Sequence, residues 1–324
     1  MEENVSVKSL TTISDTKESR TQGRKLFGRK KKAVIGLDAM NARTAWLTLI
    51  PVFILLFLFL ALPMLNSFQL SFSRWGGLGP LEPVGLDNYK RLISDPQMQY
   101  SSRITIIYAF TVAFFVVAIG VLLAAAVSAS IRGHKAMKII WFFPGIAPPT
   151  AVAIFWSSGF QPESGVVNVI LGKLGLSDNY AWLASSETAL YPVIFVGIWS
   201  AVGFAFLVIL GAVEQIPISL REAAIVDGAN VRQQFTKITL PLIRPILMTI
   251  FTLEIIWTFN GFTVVWAMTN GGPADSTSIL PILAYKEAFR YGRFGTAAAM
   301  AVITGVFLMI VGTIGIRLSR SQQQ

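Results

Sequence analysis

Residues 46–65 read WLTLIPVFILLFLFLALPML, without one charged side chain between Trp46 and Leu65. A helix of this length is about 30 Å long, the thickness of a bilayer's hydrocarbon core. Five further apolar stretches of spanning length follow: Ile104–Ser130, Ile139–Phe160, Tyr191–Ala212, Ile246–Met268 and Thr296–Ile316. Six such runs in 324 residues predict an all-α membrane protein with six transmembrane helices. Pro51, Pro63, Pro144, Pro148 and Pro149 lie in or beside them and predict kinks, since neighbouring helices can satisfy the freed carbonyls. The third stretch, with Pro-Gly and Pro-Pro, is the least regular as a single helix.

Composition agrees. Charged residues make up 14% and hydrophobic residues 53%, where soluble domains carry about 25% charge. So little charge cannot cover a soluble globule of this size. There is no cysteine and one histidine, which excludes disulfide scaffolds, thiol enzymes and His/Cys zinc sites.

The net charge of +10 reads as topology rather than as a nucleic-acid signal. Residues 1–43, 131–138, 213–244 and 317–324 hold 19 Lys and Arg; 72–103, 160–190 and 269–295 hold 8. The two sets are nearly equal in length, and each holds 8 acidic residues. The positive-inside rule places the first set, with both termini, in the cytoplasm. The predicted parts are a basic tail (1–44), a first helix with its external segment (45–100), a transmembrane core (101–317) with a cytoplasmic loop at 213–241, and a short tail (318–324). The cluster Arg24, Lys25, Arg29, Lys30, Lys31, Lys32 either attracts anionic lipid or only fixes topology. Gly23 and Gly28 do not make a phosphate loop, because Arg29-Lys30 stands where Lys-Ser/Thr is needed. His134, beside Arg132 and Lys135, reads as a solvated loop residue. Trp46, Trp75, Trp141, Trp156 and Trp266 fall near span ends, where amphipathic rings are favoured.

The most informative polar segment is IPISLREAAIVDGANVRQQFTKITLP, Ile216 to Pro241. Pro217 suits a first helical turn, Ser219–Val226 a short helix, Gly228 a left-handed stop and Asn230 a cap for a second helix through Lys237. The expected product is a helix–turn–helix on the membrane surface. Ala223 and Ala224 would let a partner approach closely, and Arg221, Glu222 and Asp227 would contact it. An ordinary interfacial hairpin is the other reading.

Glu222-Ala223-Ala224, three residues, Gly228, nine residues, Ile238, one residue and Leu240-Pro241 resemble the signature of permease subunits of binding-protein-dependent ABC importers. Ser71-Phe72-Ser73, Val84 to Tyr89, Asp95-Pro96, Met268 to Pro273, Leu280-Pro281 through Tyr285, Ala288-Phe289 and Phe294-Gly295 are similar to the sugar-type branch, nearest the first of the paired permeases of maltose-like and glycerol-phosphate-like systems. The resemblance implies a type I ABC importer permease fold in a bacterial inner membrane. It implies a coupling helix, with Arg221, Glu222, Ala223, Ala224, Asp227, Gly228 and Ala229, docked on an ATPase. It further implies a second permease in a heterodimer, two ATP-binding subunits carrying ATP and Mg, an extracytoplasmic solute-binding protein and a sugar substrate, with another polar solute such as glycerol phosphate as the alternative. No cofactor is expected on this chain.

Glu254 is the one acidic residue inside a predicted span, and intramembrane charges face cavities or partners. Trp257, Thr258 and Gly261 follow at helical spacings that share its face, with Asn260 beside them. These five make a candidate saccharide path: ring stacking plus hydrogen bonds to hydroxyls. Their alternative role is helix packing, with Glu254 paired to the partner permease or a backbone group. The small residues Ala124–Ala126, Gly197 with Ala201, and Ala297–Ala299 predict close helix contact. An ion-coupled secondary transporter would need polar residues in several spans, and a membrane enzyme a His/Asp or Ser/His constellation; neither pattern is present.

Overall fold

A computed structural model describes residues 44–128 and 134–320. The basic cluster at 24–32, Arg132 and residues 321–324 lie outside the described residues, as do the side chains of His134 and Lys135. The chain divides into two units, Met1–Asn66 and Ser67–Gln324. In the first, the described residues are helical from Thr44 (α1, Thr44–Ser71, whose final turn belongs to the second unit). Pro63 has no N–H for the Phe59 carbonyl and its ring crowds it. A π-turn at Phe57–Ala61 absorbs that conflict just upstream, and the helix continues.

The second unit carries the bundle. Its long helices are α3 (Pro96–Ser128), α7 (Leu190–Glu214), α9 (Val231–Phe259) and α12 (Phe294–Arg320). Before α3 come β1 (Ser73–Arg74), β2 (Glu82–Pro83) and α2 (Asp87–Ser94); between the long helices lie α4 (His134–Ile146), α5 (Pro149–Gly159), α6 (Val166–Lys173), α8 (Ile218–Val226), α10 (Phe262–Thr269) and α11 (Leu280–Tyr285, continued by a π-turn Lys286–Arg290). Among the described residues five helices, α1 included, are long and apolar enough to span; α4 with α5, bent by 101°, makes a sixth if the pair counts as one span.

Three sequence expectations are corrected. The second span starts at Pro96, eight residues before Ile104, because the polar first turns are already helical. The third is two helices: Pro148 and Pro149 have no N–H to carry a helix through, and Ala147, before a proline, is held out of the helical region. The fifth does not run from Ile246 to Met268. It begins at Val231, passes Pro241 and Pro245 with a π-turn at Phe235–Thr239, and ends at Phe259. Asn260 and Gly261 break it, and α10 follows as a separate helix. The second helix of the polar loop is thus the start of α9, not a separate surface helix.

Lipid is as apolar as leucine, so packing and hydrogen bonds, rather than water exclusion, hold such helices together. The small residues show how. Gly197 of α7 takes the Tyr108 hydroxyl at 3.0 Å from where a methyl would sit, and Gly120 of α3 meets Ile209 at 3.0 Å. Gly203 lets α7 press on α4 so closely that a methyl there would overlap the Trp141 carbonyl. Around these contacts Val112, Val116, Val193, Val196, Phe206 and Ile209 are fully buried. Ala124 and Ala299 are buried as well.

The segments quoted from 71–89 and 269–296 meet at one end. Asn88 Nδ2 donates to the Ser71 and Ser73 carbonyls, both at 2.9 Å. Gly295 admits the Ser73 carbonyl where a side chain would collide. Thr269 and Thr277 hydroxyls meet at 2.7 Å across a turn in which Asn270 and Gly271 have φ of +52° and +84°. Thr105 Oγ1 accepts from the Leu280 N–H at 2.8 Å, tying that turn to α3. Glu287 pairs with Arg293 at 2.6 Å; burial pushes its carboxyl up, with Arg293 and then Arg91 pulling it back.

Gly203→Ala is expected to cut the monodisperse folded yield in detergent several-fold. Gly211→Ala, with open space around it, should keep the yield and gain about 0.5–1 kcal/mol from helix propensity. Equal yields from the two would contradict this packing account.

Candidate coupling helix and polar helix break

The loop after α7 is fixed by local backbone chemistry. Pro217 caps α8 in an extended conformation (ψ 130°). At the far end Gly228 has φ +75°, a conformation that costs a side-chain-bearing residue about 1–2 kcal/mol. Its N–H donates to Ile225 O at 3.0 Å and that of Ala229 to Ala224 O at 2.8 Å, a Schellman closure. Asn230 and Gln233 then form a capping box, each side chain accepting the other's N–H at 2.9 Å. Gln234 Nε2 returns to Ala229 O at 2.9 Å. The turn is therefore hydrogen-bonded from both sides and locks α8 to α9.

One hydrogen bond ties α8 to the bundle: Arg221 donates to the Val213 carbonyl at 3.2 Å, placing a cation at the C-terminus of α7, where the helix dipole favours it. Beside it, Lys138 of α4 pairs with Glu214, the last residue of α7, at 3.2 Å. Ala224 is buried, whereas Ala223 is exposed. Adjacent helical residues point about 100° apart, so the two alanines do not share a face as expected. Arg221 likewise turns inward. The outward face carries Glu222, Ile225, Val226 and Ile218, with Val226 87% and Ile218 71% exposed. That i, i+4, i+7, i+8 stripe was readable in the sequence, and the small residues drew attention from it. Asp227 is exposed beside it.

The five path residues separate. Glu254 is 2% exposed and Thr258, one turn on, is also buried. Glu254 makes no hydrogen bond or ion pair among the described residues. Trp257 is half exposed, edge-on to Phe204 at 5.5 Å. Asn260 is exposed, and its Nδ2 donates back to Ile256 O at 2.9 Å. Gly261 lies beyond the helix end, so the spacing argument that put it on the Glu254 face does not hold. The arrangement is a buried carboxyl–hydroxyl pair on one side and an open Trp–Asn edge on the other, meeting at a break. Among the described residues no three His, Cys, Asp or Glu side chains gather as a metal site would require.

A family model described as binding-protein-dependent transport system inner membrane component matches residues 116–322. A probable ABC transporter permease protein of Brucella abortus biovar 1 (strain 9-941) is 32% identical over 88% of this chain and 99% of its own. The trehalose/maltose transport system permease protein MalF of Thermococcus litoralis is 28% identical over 88% of this chain and 96% of its own. A chain in the crystal structure of a bacterial alginate ABC transporter, in complex with an alginate pentasaccharide-bound periplasmic protein, superposes with a TM-score of 0.77, at 23% identity, over 88% of this chain and 96% of that one. It shares the fold. Matched along most of its length, the chain belongs to the family of inner-membrane components of binding-protein-dependent transport systems.

Proposed function

We propose that this permease subunit forms half of the translocation path for a sugar or small oligosaccharide, beside a different second permease. An extracytoplasmic binding protein delivers the substrate, and two ATP-binding subunits carrying ATP and Mg drive the exchange. As an ABC permease the chain is not the ATPase of its complex. Both termini and the 213–241 loop face the cytoplasm, in accord with the 19 basic residues on that side. The saccharide assignment draws on relatives such as the trehalose/maltose permease.

The observation that carries the coupling role is the outward face of α8. Exposed apolar side chains on a rigidly capped helix mark a docking surface. Glu222 and Asp227 flank that face and supply polar contacts to the ATPase. Arg221, Ala224, Gly228 and Ala229 hold its aim, and Ala223 leaves room for the partner's backbone. The path role is assigned to Trp257 and Asn260 at the open edge, to Gly261 at the break, and to Glu254 and Thr258 behind it.

Val226→Asp is expected to lower co-purification of the ATP-binding subunits at least tenfold at unchanged permease abundance. Retention of those subunits at the wild-type ratio would contradict the docking role. Asn260→Ala is expected to reduce uptake of the substrate by roughly tenfold, the loss of one or two hydrogen bonds. Glu254→Gln keeps shape and removes the charge, and should also lower uptake. Unchanged uptake and substrate preference in both variants, at equal membrane abundance, would overturn the assigned path.

A further inference from the structure

At the end of the bundle opposite α8, six aromatic rings form a continuous row. Trp75 meets Phe294 at a centroid distance of 5.3 Å, and Phe294 meets Phe289 at 5.6 Å. Phe289 meets Tyr285 at 5.0 Å, Tyr285 meets Trp266 at 4.8 Å, and Trp266 stacks on Phe262 at 5.3 Å and 16°. Phe262 directly follows Gly261, so the row ends at the helix break where Asn260 is open. It draws on three separated parts of the chain: the β1 segment, α11 with its π-turn and α12, and α10.

The row is not sealed as a core would be. Phe289 is 69% and Tyr285 39% exposed, while the other four rings are half-buried. An interfacial belt consists of Trp and Tyr, whose polar edges suit headgroups; three of these six rings are Phe, including the most exposed. The π-turn at Lys286–Arg290 adds a residue to the helix and sets the exposed Phe289 in line between Tyr285 and Phe294. Hydrogen-bonding groups border the row: the Tyr285 hydroxyl, exposed Arg290, and the Lys286 ammonium, held by Asp275 at 2.7 Å.

We infer that this row is a saccharide-guiding surface, on which the C–H faces of successive sugar rings stack on their way to the Asn260–Gly261 break. The inference rests on the proposed saccharide substrate and on that end facing outward. Flat apolar rings with polar edges suit a sugar, which presents C–H groups on one face and hydroxyls at its rim. A row several rings long, unlike a single stacking platform, engages more than one sugar unit at once and so favours chains over single residues.

The test uses the whole transporter with its binding protein in proteoliposomes, and kcat/KM for uptake of maltose, trehalose, maltotriose and an alginate oligosaccharide. Tyr285→Ala with Phe289→Ala is expected to lower kcat/KM on the order of tenfold for a transported oligosaccharide, and less for a disaccharide. Tyr285→Phe with Phe289→Tyr keeps both stacking rings and gives up only the Tyr285 hydroxyl, so it should lose clearly less than the double alanine variant. Phe289→Ala alone, at the most open position, should show part of the loss without a folding defect. Wild-type uptake by the double alanine variant overturns the inference. So does an equal loss in the ring-keeping variant, or loss of the second permease from the purified double alanine complex, which would make the row a subunit interface. A wild-type transporter that takes up none of the four sugars overturns the saccharide reading itself, a result distinct from all of these.

Discussion

A peptide group at bilayer depth has no water to bond, so its N–H and C=O must be satisfied within the protein. The architecture depends on that constraint, and the places where a helix stops are its most telling parts. At the 101° bend after Ile146, Val152 N–H returns to Pro148 O at 3.1 Å, restarting the ladder at once. At the second break, Asn260 Nδ2 takes Ile256 O and Gly261 N–H takes Thr258 O at 3.0 Å. Each break is mended locally, so irregular backbone can stand inside the bundle. The two short helices that follow the breaks, α5 and α10, pack on one another, with Ala153 and Val265 fully buried.

The same economy shapes the coupling end. α8 is only nine residues long and would not persist alone in water. It persists because its C-terminal carbonyls are closed by Gly228 and Ala229, because Asn230 starts α9 immediately, and because Arg221 binds the end of α7. α8 is thereby joined by a hydrogen bond to α7 and by the capped turn to α9, the helix that stops at Asn260. One helix, Val231–Phe259, thus runs from the proposed docking surface to the polar break.

Much of this was legible in the residues. Apolar run length found the five helices long enough to span and the bent α4–α5 pair, though not the ends of α3 and α9. Gly228 and Asn230 announced their turn and cap, because φ > 0 and N-capping are local preferences. What the sequence hid is tertiary. Whether Ala223 or Ala224 faces inward depends on where α8 meets the bundle. Periodicity placed Gly261 on the Glu254 face only because it assumed a helix that Asn260-Gly261 ends. The aromatic row joins Trp75 to Phe262 through residues more than 180 positions apart, a proximity no local pattern encodes.

The proposed route by which ATP hydrolysis reaches the membrane is the outward face of α8. Because the chain has no cysteine, Val226→Cys introduces a single thiol, and a short thiol-to-amine cross-linker can then be applied to the assembled transporter in membranes. A cross-linked product of this permease with the ATP-binding subunit is expected, absent when Gly211, inside α7, carries the cysteine instead. A Val226→Cys permease that is fully labelled by small thiol reagents yet yields no product with the ATP-binding subunit would contradict that route.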